Sequence, residues 1–312
     1  MREARAASHR DQLMQIVPEA DLITVPDGRA LQLWRWPYET DRPTLHWTHA
    51  TSFSARTYAP LLEPLSRHCN VIALDLRGHG GSAAAAHGLH LRSWQTYYAD
   101  LCHVLADVQE PVWLGGHSLG GMVSLAAAVR HPQRVRGLLL LDPTILDRRR
   151  AWRVRLLRLT GAMRRSRYIR TTLGRRQRFP SREVALQMLS RQSGFKRWPA
   201  PWLKAYVDSG FNAVEKTGVT LACSPAWEAQ TYAAVELQPY RYLRALAQAP
   251  DVEVHALAAA RASTFLPAAR RVLLDARPDA RIDILPGSNH YLPMLDTPEV
   301  ASWLLSRLGN AD

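Results

Sequence analysis

The run Val112-Trp113-Leu114-Gly115-Gly116-His117-Ser118-Leu119-Gly120-Gly121 admits few folds. A short apolar strand leads directly into Gly-x-Ser-x-Gly, and an apolar helix from Leu119 to Val129 follows at once. A chain that turns this sharply from strand to helix forces Ser118 into strained backbone geometry. Only glycine on either side lets the two arms pass so closely. The turn lifts the serine hydroxyl over the end of a sheet and leaves the N–H of Leu119 free to bind an oxyanion. Gly and Ser are common in ordinary turns too, but strand, helix and both glycines together mark Ser118 as a candidate nucleophile.

The rest of the chain supplies the sheet that such a turn needs. Leu22 to Val25 and Ala30 to Trp36 flank the turn Pro26-Asp27-Gly28 and read as an antiparallel hairpin. Strands are expected at Thr44 to Thr48, Val71 to Leu74 and Val135 to Leu141, with helices at Tyr58 to Leu65 and about Arg92 to Asp107. Val135 to Leu141 is apolar apart from Arg136, as a strand buried on both faces along most of its length would be. The alternation resumes with a strand at Val252 to Leu257, a helix at Pro267 to Ala276, a strand at Arg281 to Leu285 and a helix at Thr297 to Leu308. Such alternation implies an α/β fold, a mostly parallel sheet with helices on both faces. Residues 143–245 break the pattern, being Arg-rich and helical in spacing. They are expected to form an inserted helical cap on a core made of 1–142 and 246–312.

A serine hydroxyl is a poor nucleophile at neutral pH. It needs a histidine to take its proton and a carboxylate to hold that histidine. In an α/β sheet both must come from loops at the carboxyl ends of strands. His290, in Gly287-Ser288-Asn289-His290-Tyr291 after the last strand, is the candidate base. The loop after the penultimate strand, Ala258 to Thr264, is the usual place for the acid but contains no Asp or Glu. Asp142, one strand earlier at the end of Val135 to Leu141, is therefore the candidate. Its competing role is to start the next segment, since Asp-Pro is a helix-start signal. The second oxyanion donor is expected from His49-Ala50-Thr51-Ser52-Phe53, as the N–H of either Ala50 or Thr51. His49, Phe53, His117 and Tyr291, which flank these motifs, and Trp227 from the inserted segment are candidate pocket residues. Trp198, Trp202 and Phe211 suggest an apolar roof, and Glu228 either pairs with nearby arginines or faces the pocket.

Other chemistries leave no comparable mark. Gly78-His79-Gly80-Gly81-Ser82-Ala83 fits a dinucleotide fingerprint only loosely, since no helix is expected directly after it. The histidines show no metal-ligand spacing, so neither a metal nor a cofactor is expected. Cys69, Cys102 and Cys223 are few and widely spaced, which suits a reducing compartment and buried, small apolar roles. Met1 to Gln15 is polar and basic with no apolar leader segment, and no run is long and apolar enough to span a membrane. The expectation is a cytoplasmic protein.

These residues resemble the α/β-hydrolase family. The likeness runs from Thr44 to His131 and from Val252 to the end. It rests on Asp75-Leu76-Arg77-Gly78-His79-Gly80-Gly81-Ser82, on Gly116-His117-Ser118-Leu119-Gly120 and on the late His290. His49-Ala50-Thr51-Ser52-Phe53 is similar to a subgroup reading His-Ala-Asn/Thr-Gly-Phe, with Ser52 in place of its glycine. Stretches of Trp202 to Tyr232 are similar to that subgroup too. The resemblance implies an eight-stranded sheet, a helical lid and hydrolysis without a cofactor. Members that open epoxides or cleave C–Cl bonds generally use a carboxylate nucleophile, whereas a serine forms an acyl-enzyme. The expected enzyme is therefore a serine hydrolase, esterase- or lipase-like, acting on a medium-sized apolar carboxylic ester or thioester. The alternatives are a C–C bond hydrolase of the same fold and a non-catalytic ligand-binding protein on the same scaffold.

The net charge of +13 is distributed unevenly. Between Arg148 and Lys204 stand 18 Lys/Arg and one acid, Glu183, so the remainder of the chain is mildly acidic. Within Arg148 to Leu159, Trp152, Leu156 and Leu159 recur at helical spacing with arginines between them. Either this helix lays its apolar face on the core and its basic face in water, or the lid contacts an anionic membrane surface or recruits anionic or lipid-like substrates. Nucleic acid is not an expected partner, because the charge is confined to the lid and no binding motif accompanies it.

Overall fold

The structure, a computed structural model, describes residues 16–214 and 218–309. The stretch Met1 to Gln15, with its expected lack of a leader segment, lies outside them. Among the described residues, eight strands form one sheet in the order β1 (Glu19–Thr24), β2 (Ala30–Arg35), β4 (Asn70–Leu74), β3 (Thr44–Thr48), β5 (Val112–His117), β6 (Val135–Leu141), β10 (Glu253–Ala259) and β11 (Arg281–Leu285). The pairs β1–β2 and β2–β4 are antiparallel, and all other neighbours run parallel. The chain steps from β3 to β4 in one direction along the sheet and then from β5 to β11 in the other. The carboxyl ends of β3 and β5 thus form the switch point, where open α/β sheets bind ligands.

The apolar run Leu138 to Leu141 of β6 has a simple explanation. Leu138 and Leu140 pack into one layer and Leu139 and Leu141 into the other, so both faces are covered. The first layer holds helices Gln95–Ala106, Leu119–Arg130, Tyr240–Ala245 and Pro267–Ala276. The second holds helices Ala59–Leu65 and Thr297–Leu308. Cys69 and Cys223 are buried, Cys102 is half-buried, and all three are unpaired.

Residues 143–245 connect β6 to β10. Their helices are Arg148–Leu159, Arg167–Leu173, Arg182–Ser190, Ala200–Ser209 and Pro225–Ala233, followed by Tyr240–Ala245. The segment is not wholly helical as expected. A three-stranded antiparallel sheet, β7 (Arg178–Phe179), β9 (Gly218–Leu221) and β8 (Phe211–Val214), lies within it. Strands of two and four residues carry too little alternation to stand out from their Arg-rich surroundings. The helix Arg148–Leu159 also departs from one of its two readings. Trp152, Leu156 and Leu159 do not pack on the core but are 64%, 44% and 77% exposed. Among the described residues no helix is long and apolar enough to cross a membrane.

Candidate active site

Ser118 sits between β5 and the helix Leu119–Arg130 with φ 57° and ψ −115°, a conformation L residues rarely hold. The turn is tight enough to exclude side chains beside it. A Cβ on Gly120 would stand 2.0 Å from the Thr48 carbonyl oxygen and 2.7 Å from that of His49. This packing seats the loop after β3 against the first turn of the helix. The Ser118 N–H donates to the Leu141 carbonyl at 3.1 Å, and the Thr144 N–H donates to the Ser118 carbonyl at 2.9 Å. Backbone bonds on both sides therefore hold the strained residue.

Three sequence candidates meet at these strand ends. His290 Nε2 lies 3.0 Å from Ser118 Oγ, and His290 Nδ1 lies 2.6 Å from Asp142 Oδ2. A carboxylate only accepts, so Nδ1 carries the proton and Nε2 is left to accept from the serine hydroxyl. Thr144 Oγ1 stands 3.0 Å from Ser118 Oγ and donates to it when the serine proton points to His290.

Asp142 is fully buried, with φ 39°. The loop after β10, which lacks an acid, acts as its cradle. Asp142 Oδ1 accepts from the Ala259 N–H at 3.0 Å and from the Ser263 hydroxyl, and Oδ2 accepts from the Thr264 N–H at 2.9 Å. Burial alone would raise the carboxyl pKa. The His290 hydrogen bond and charge, with Ser263 and Thr264, outweigh burial and hold it at about 2.

His117 contributes from behind. Its Nε2 lies 2.7 Å from the His290 carbonyl and must donate there, so its Nδ1, 2.7 Å from Tyr58 Oη, accepts the tyrosine proton. Desolvation, then the charge of His290, pushes the His117 pKa down to about 3, keeping the ring neutral. Tyr58 Oη in turn accepts from the Ala50 N–H at 3.3 Å. That bond removes Ala50 from the two oxyanion candidates. The N–H groups of Thr51 and Leu119 have no protein acceptor among the described residues. Ser52, where the similar subgroup has glycine, takes φ 72°, a left-handed conformation that glycine adopts without strain.

A cavity of about 720 Å³ opens over Ser118 and His290. Leu146, Val154, Leu157, Met163 and Ile169 make much of its wall apolar, with Phe53, Trp198 and Tyr291 beside them. Arg175 and Glu228 add one charged spot. They pair with each other, and Arg175 also donates to Tyr206 Oη at 3.1 Å.

Four of the expected pocket or roof residues lie elsewhere. His49 is buried with both ring nitrogens committed: Nδ1 donates to the Ala50 carbonyl at 2.7 Å, and Nε2 accepts from the Leu76 N–H at 2.9 Å. Trp227 packs over Gly78, where a Cβ would meet its Nε1 at 2.0 Å, and that N–H donates to the Arg77 carbonyl at 3.0 Å. Both residues brace the Asp75-to-Ser82 loop instead of facing the cavity. Trp202 donates to Thr297 Oγ1 at 2.9 Å, and Phe211 stacks edge-on with Phe179. Ser263, Thr264, Thr144 and Tyr58 had no signal of their own. For Ser263 and Thr264, the clue was the absence of an acid in their loop. Among the described residues, no group of three or more His, Cys, Asp or Glu side chains is placed to hold a metal ion.

A profile described as "Alpha/beta hydrolase family" matches residues 46–302. The (E)-2-((N-methylformamido)methylene)succinate hydrolase of Acinetobacter baylyi is 32% identical over 94 residues, 30% of this chain and 35% of that protein. The monoglyceride lipase of Rattus norvegicus is 32% identical over 149 residues, 45% of this chain and 48% of that one. A 2-hydroxy-6-oxo-2,4-heptadienoate hydrolase of Pseudomonas putida is 41% identical over 83 residues, covering 26% and 29%. Each match spans less than half the length of the relative concerned. The crystal structure of an E-2-(acetamidomethylene)succinate hydrolase superposes with a TM-score of 0.71 at 20% identity, over 93% of this chain and 98% of that one. A peroxisomal alpha-beta-hydrolase of Saccharomyces cerevisiae gives 0.73 at 14% identity, over 95% and 89%. At these identities the two structures speak to the fold alone.

Proposed function

This chain belongs to the alpha/beta hydrolase family, and from that membership we propose that it is a serine hydrolase cleaving a medium-sized apolar carboxylic ester or thioester through an acyl-enzyme. The observation that carries the reading is the unbroken line from Ser118 Oγ through His290 to Asp142 Oδ2, with steps of 3.0 and 2.6 Å, at the floor of a largely apolar cavity.

In this reading His290 Nε2 takes the proton of Ser118 as Oγ attacks the acyl carbon. The N–H groups of Leu119 and Thr51 receive the developing oxyanion. His290 returns the proton to the leaving alcohol or thiol, which departs and leaves an ester on Ser118. Water then gives its proton to His290 and attacks that ester, releasing the acid and restoring the serine. Asp142, ionised well below neutral pH, stabilises the imidazolium in both halves. Residues 143–245 act as a cap that excludes bulk water from the acyl group. The cavity volume of about 720 Å³ falls within the range usual for small-molecule pockets, roughly 300–1,000 Å³.

Initial rates on p-nitrophenyl esters of increasing acyl length test the proposal. Turnover is expected to peak at medium chains and fall off at both ends. No turnover of any ester or thioester would overturn it, as would exclusive turnover of a vinylogous diketone.

A further inference from the structure

We propose that the outer face of the helix Arg148–Leu159 is a docking surface for an anionic lipid bilayer. Trp152, Leu156 and Leu159 are all exposed large apolar side chains, and Leu159 is the most exposed of those described. At 100° per residue they fall within roughly 60° of one another around the helix, forming one stripe. Arg148, Arg149, Arg153 and Arg155, all exposed, flank that stripe. Arg164, Arg165, Arg167 and Arg170 continue the basic surface, joined by the exposed Tyr168 and Leu173. Between Asp147 and Glu183 the sequence contains no acid.

Leaving this much apolar surface in water needs a reason, because large exposed apolar patches on soluble proteins mark binding sites. A helix of this kind lies in the plane of a membrane interface, with Trp and Leu among the acyl chains and the arginines reaching lipid phosphates. A groove of about 410 Å³ between this helix and Ala234 to Gln238 is lined by Trp152, Arg148, Arg155 and Arg158 and has the charge for one such headgroup. The one acid lining it, Glu236, is already engaged, accepting from Gln95 Nε2 at 3.1 Å and from the Gln238 N–H at 2.8 Å. Arg158 braces the groove by donating to the Ala233 and Val235 carbonyls at 2.7 and 2.5 Å.

The charge also selects among occupants. A second copy packed on this stripe about a twofold axis would set the arginines against themselves. A nucleic acid would engage the arginines but leave the Trp–Leu stripe uncovered. Only an anionic bilayer satisfies both. Val154 and Leu157, on the opposite side of the same helix, line the cavity over Ser118. Docking would therefore set the cavity roof directly on the membrane surface.

Co-sedimentation with vesicles tests this, using phosphatidylglycerol mixed into phosphatidylcholine against phosphatidylcholine alone. The protein is expected to pellet with the anionic vesicles and to be released by raising the salt to about 0.5 M. Reversing Arg149 and Arg153 to Glu is expected to weaken partitioning by about fivefold or more per residue. The triple variant Trp152→Ser, Leu156→Ser, Leu159→Ser, with unchanged circular dichroism, is expected to lose binding to the same vesicles. Equal binding to neutral and anionic vesicles, or none to either, would overturn the proposal. Undiminished binding of the triple variant would also do so. So would a dimer in sedimentation velocity that the triple substitution dissociates, since the stripe would then belong to a second copy.

Discussion

Asp142, at the end of β6, meets His290, beyond the end of β11, at 2.6 Å across the intervening strand β10. The contact forms because the loop after β10 yields the space. Apart from Arg261, which turns outward to the Gly287 carbonyl, its side chains are small or hydroxylated, and Ser263 and Thr264 turn their donors toward the Asp142 carboxylate. The acid has in effect moved one strand, while the hydrogen-bonding shell around it remains in the next loop.

Replacing Asp142 by Asn tests that relationship. An amide nitrogen at the Oδ2 position would face the Thr264 N–H and donate to His290 Nδ1, fixing the wrong tautomer. At the Oδ1 position it would face the Ala259 N–H and leave only an uncharged oxygen toward His290, which stabilises the imidazolium less. The expected result is a fall in kcat of about 10³-fold or more with a small change in KM. A loss below about tenfold would mean that His290 is oriented by another group.

Tyr58→Phe probes the support behind the base. The phenol oxygen accepts from the Ala50 N–H, and its proton fixes the His117 tautomer that grips the His290 carbonyl. Its loss leaves two buried polar groups, the Ala50 N–H and His117 Nδ1, short of a partner. A fall in kcat on the order of tenfold is expected, with KM nearly unchanged. An unchanged kcat, measured on the same ester, would show that the His290 loop holds its position without this chain of bonds.

Gly120→Ala tests the closeness of the turn. The added methyl would stand 2.0 Å from the Thr48 carbonyl oxygen, and backbone cannot yield there as a flexible side chain would. A destabilisation of about 3 kcal/mol or more is expected from urea unfolding. Gly194→Ala, whose methyl meets nothing within 4 Å, is the matched control and is expected to change stability little. Similar values for the two variants would contradict the packing described.

Stability should depend on pH in a definite direction. Burial pushes His46 and His49 down to about 4 and His79 and His117 down to about 3, from an ordinary value of 6.5. As pH falls below 6.5 the unfolded chain binds protons that the folded chain refuses, so folding loses free energy until the folded values are reached. Asp142, held at about 2, adds a further loss below its ordinary 3.8. The melting temperature is expected to be highest above pH 6.5 and to fall steadily toward pH 4. A melting temperature that stays level over that interval would contradict the neutral burial of these histidines.

Much of the architecture was legible in the sequence because its signals are strong and local. The four leucines Leu138 to Leu141 read as a doubly buried strand, and Gly116-His117-Ser118-Leu119-Gly120 between an apolar strand and an apolar helix reads as a tight strand-to-helix turn. The strand-end rule led to Asp142 and His290, and the structure sets His290 between Asp142 and Ser118. What the sequence left hidden depends on contacts between distant segments. His49 and Trp227 look like pocket residues from their chemistry, but hydrogen bonds to Leu76 and Arg77 commit them to another loop. Ala50 and Thr51 were indistinguishable until Tyr58, eight residues beyond Ala50, was seen to take the Ala50 N–H. The stripe of Trp152, Leu156 and Leu159 has the spacing of a core-facing helix. Periodicity shows that such a face exists but not what it meets.

The most direct measurement on the central claim is labelling of the folded protein with a fluorophosphonate probe, followed by peptide mapping. A nucleophile activated by His290 and Asp142 predicts one adduct per chain, located on Ser118, absent in Ser118→Ala and strongly slowed in His290→Ala. No adduct on the folded protein, or an adduct on a different residue that survives Ser118→Ala, would contradict it.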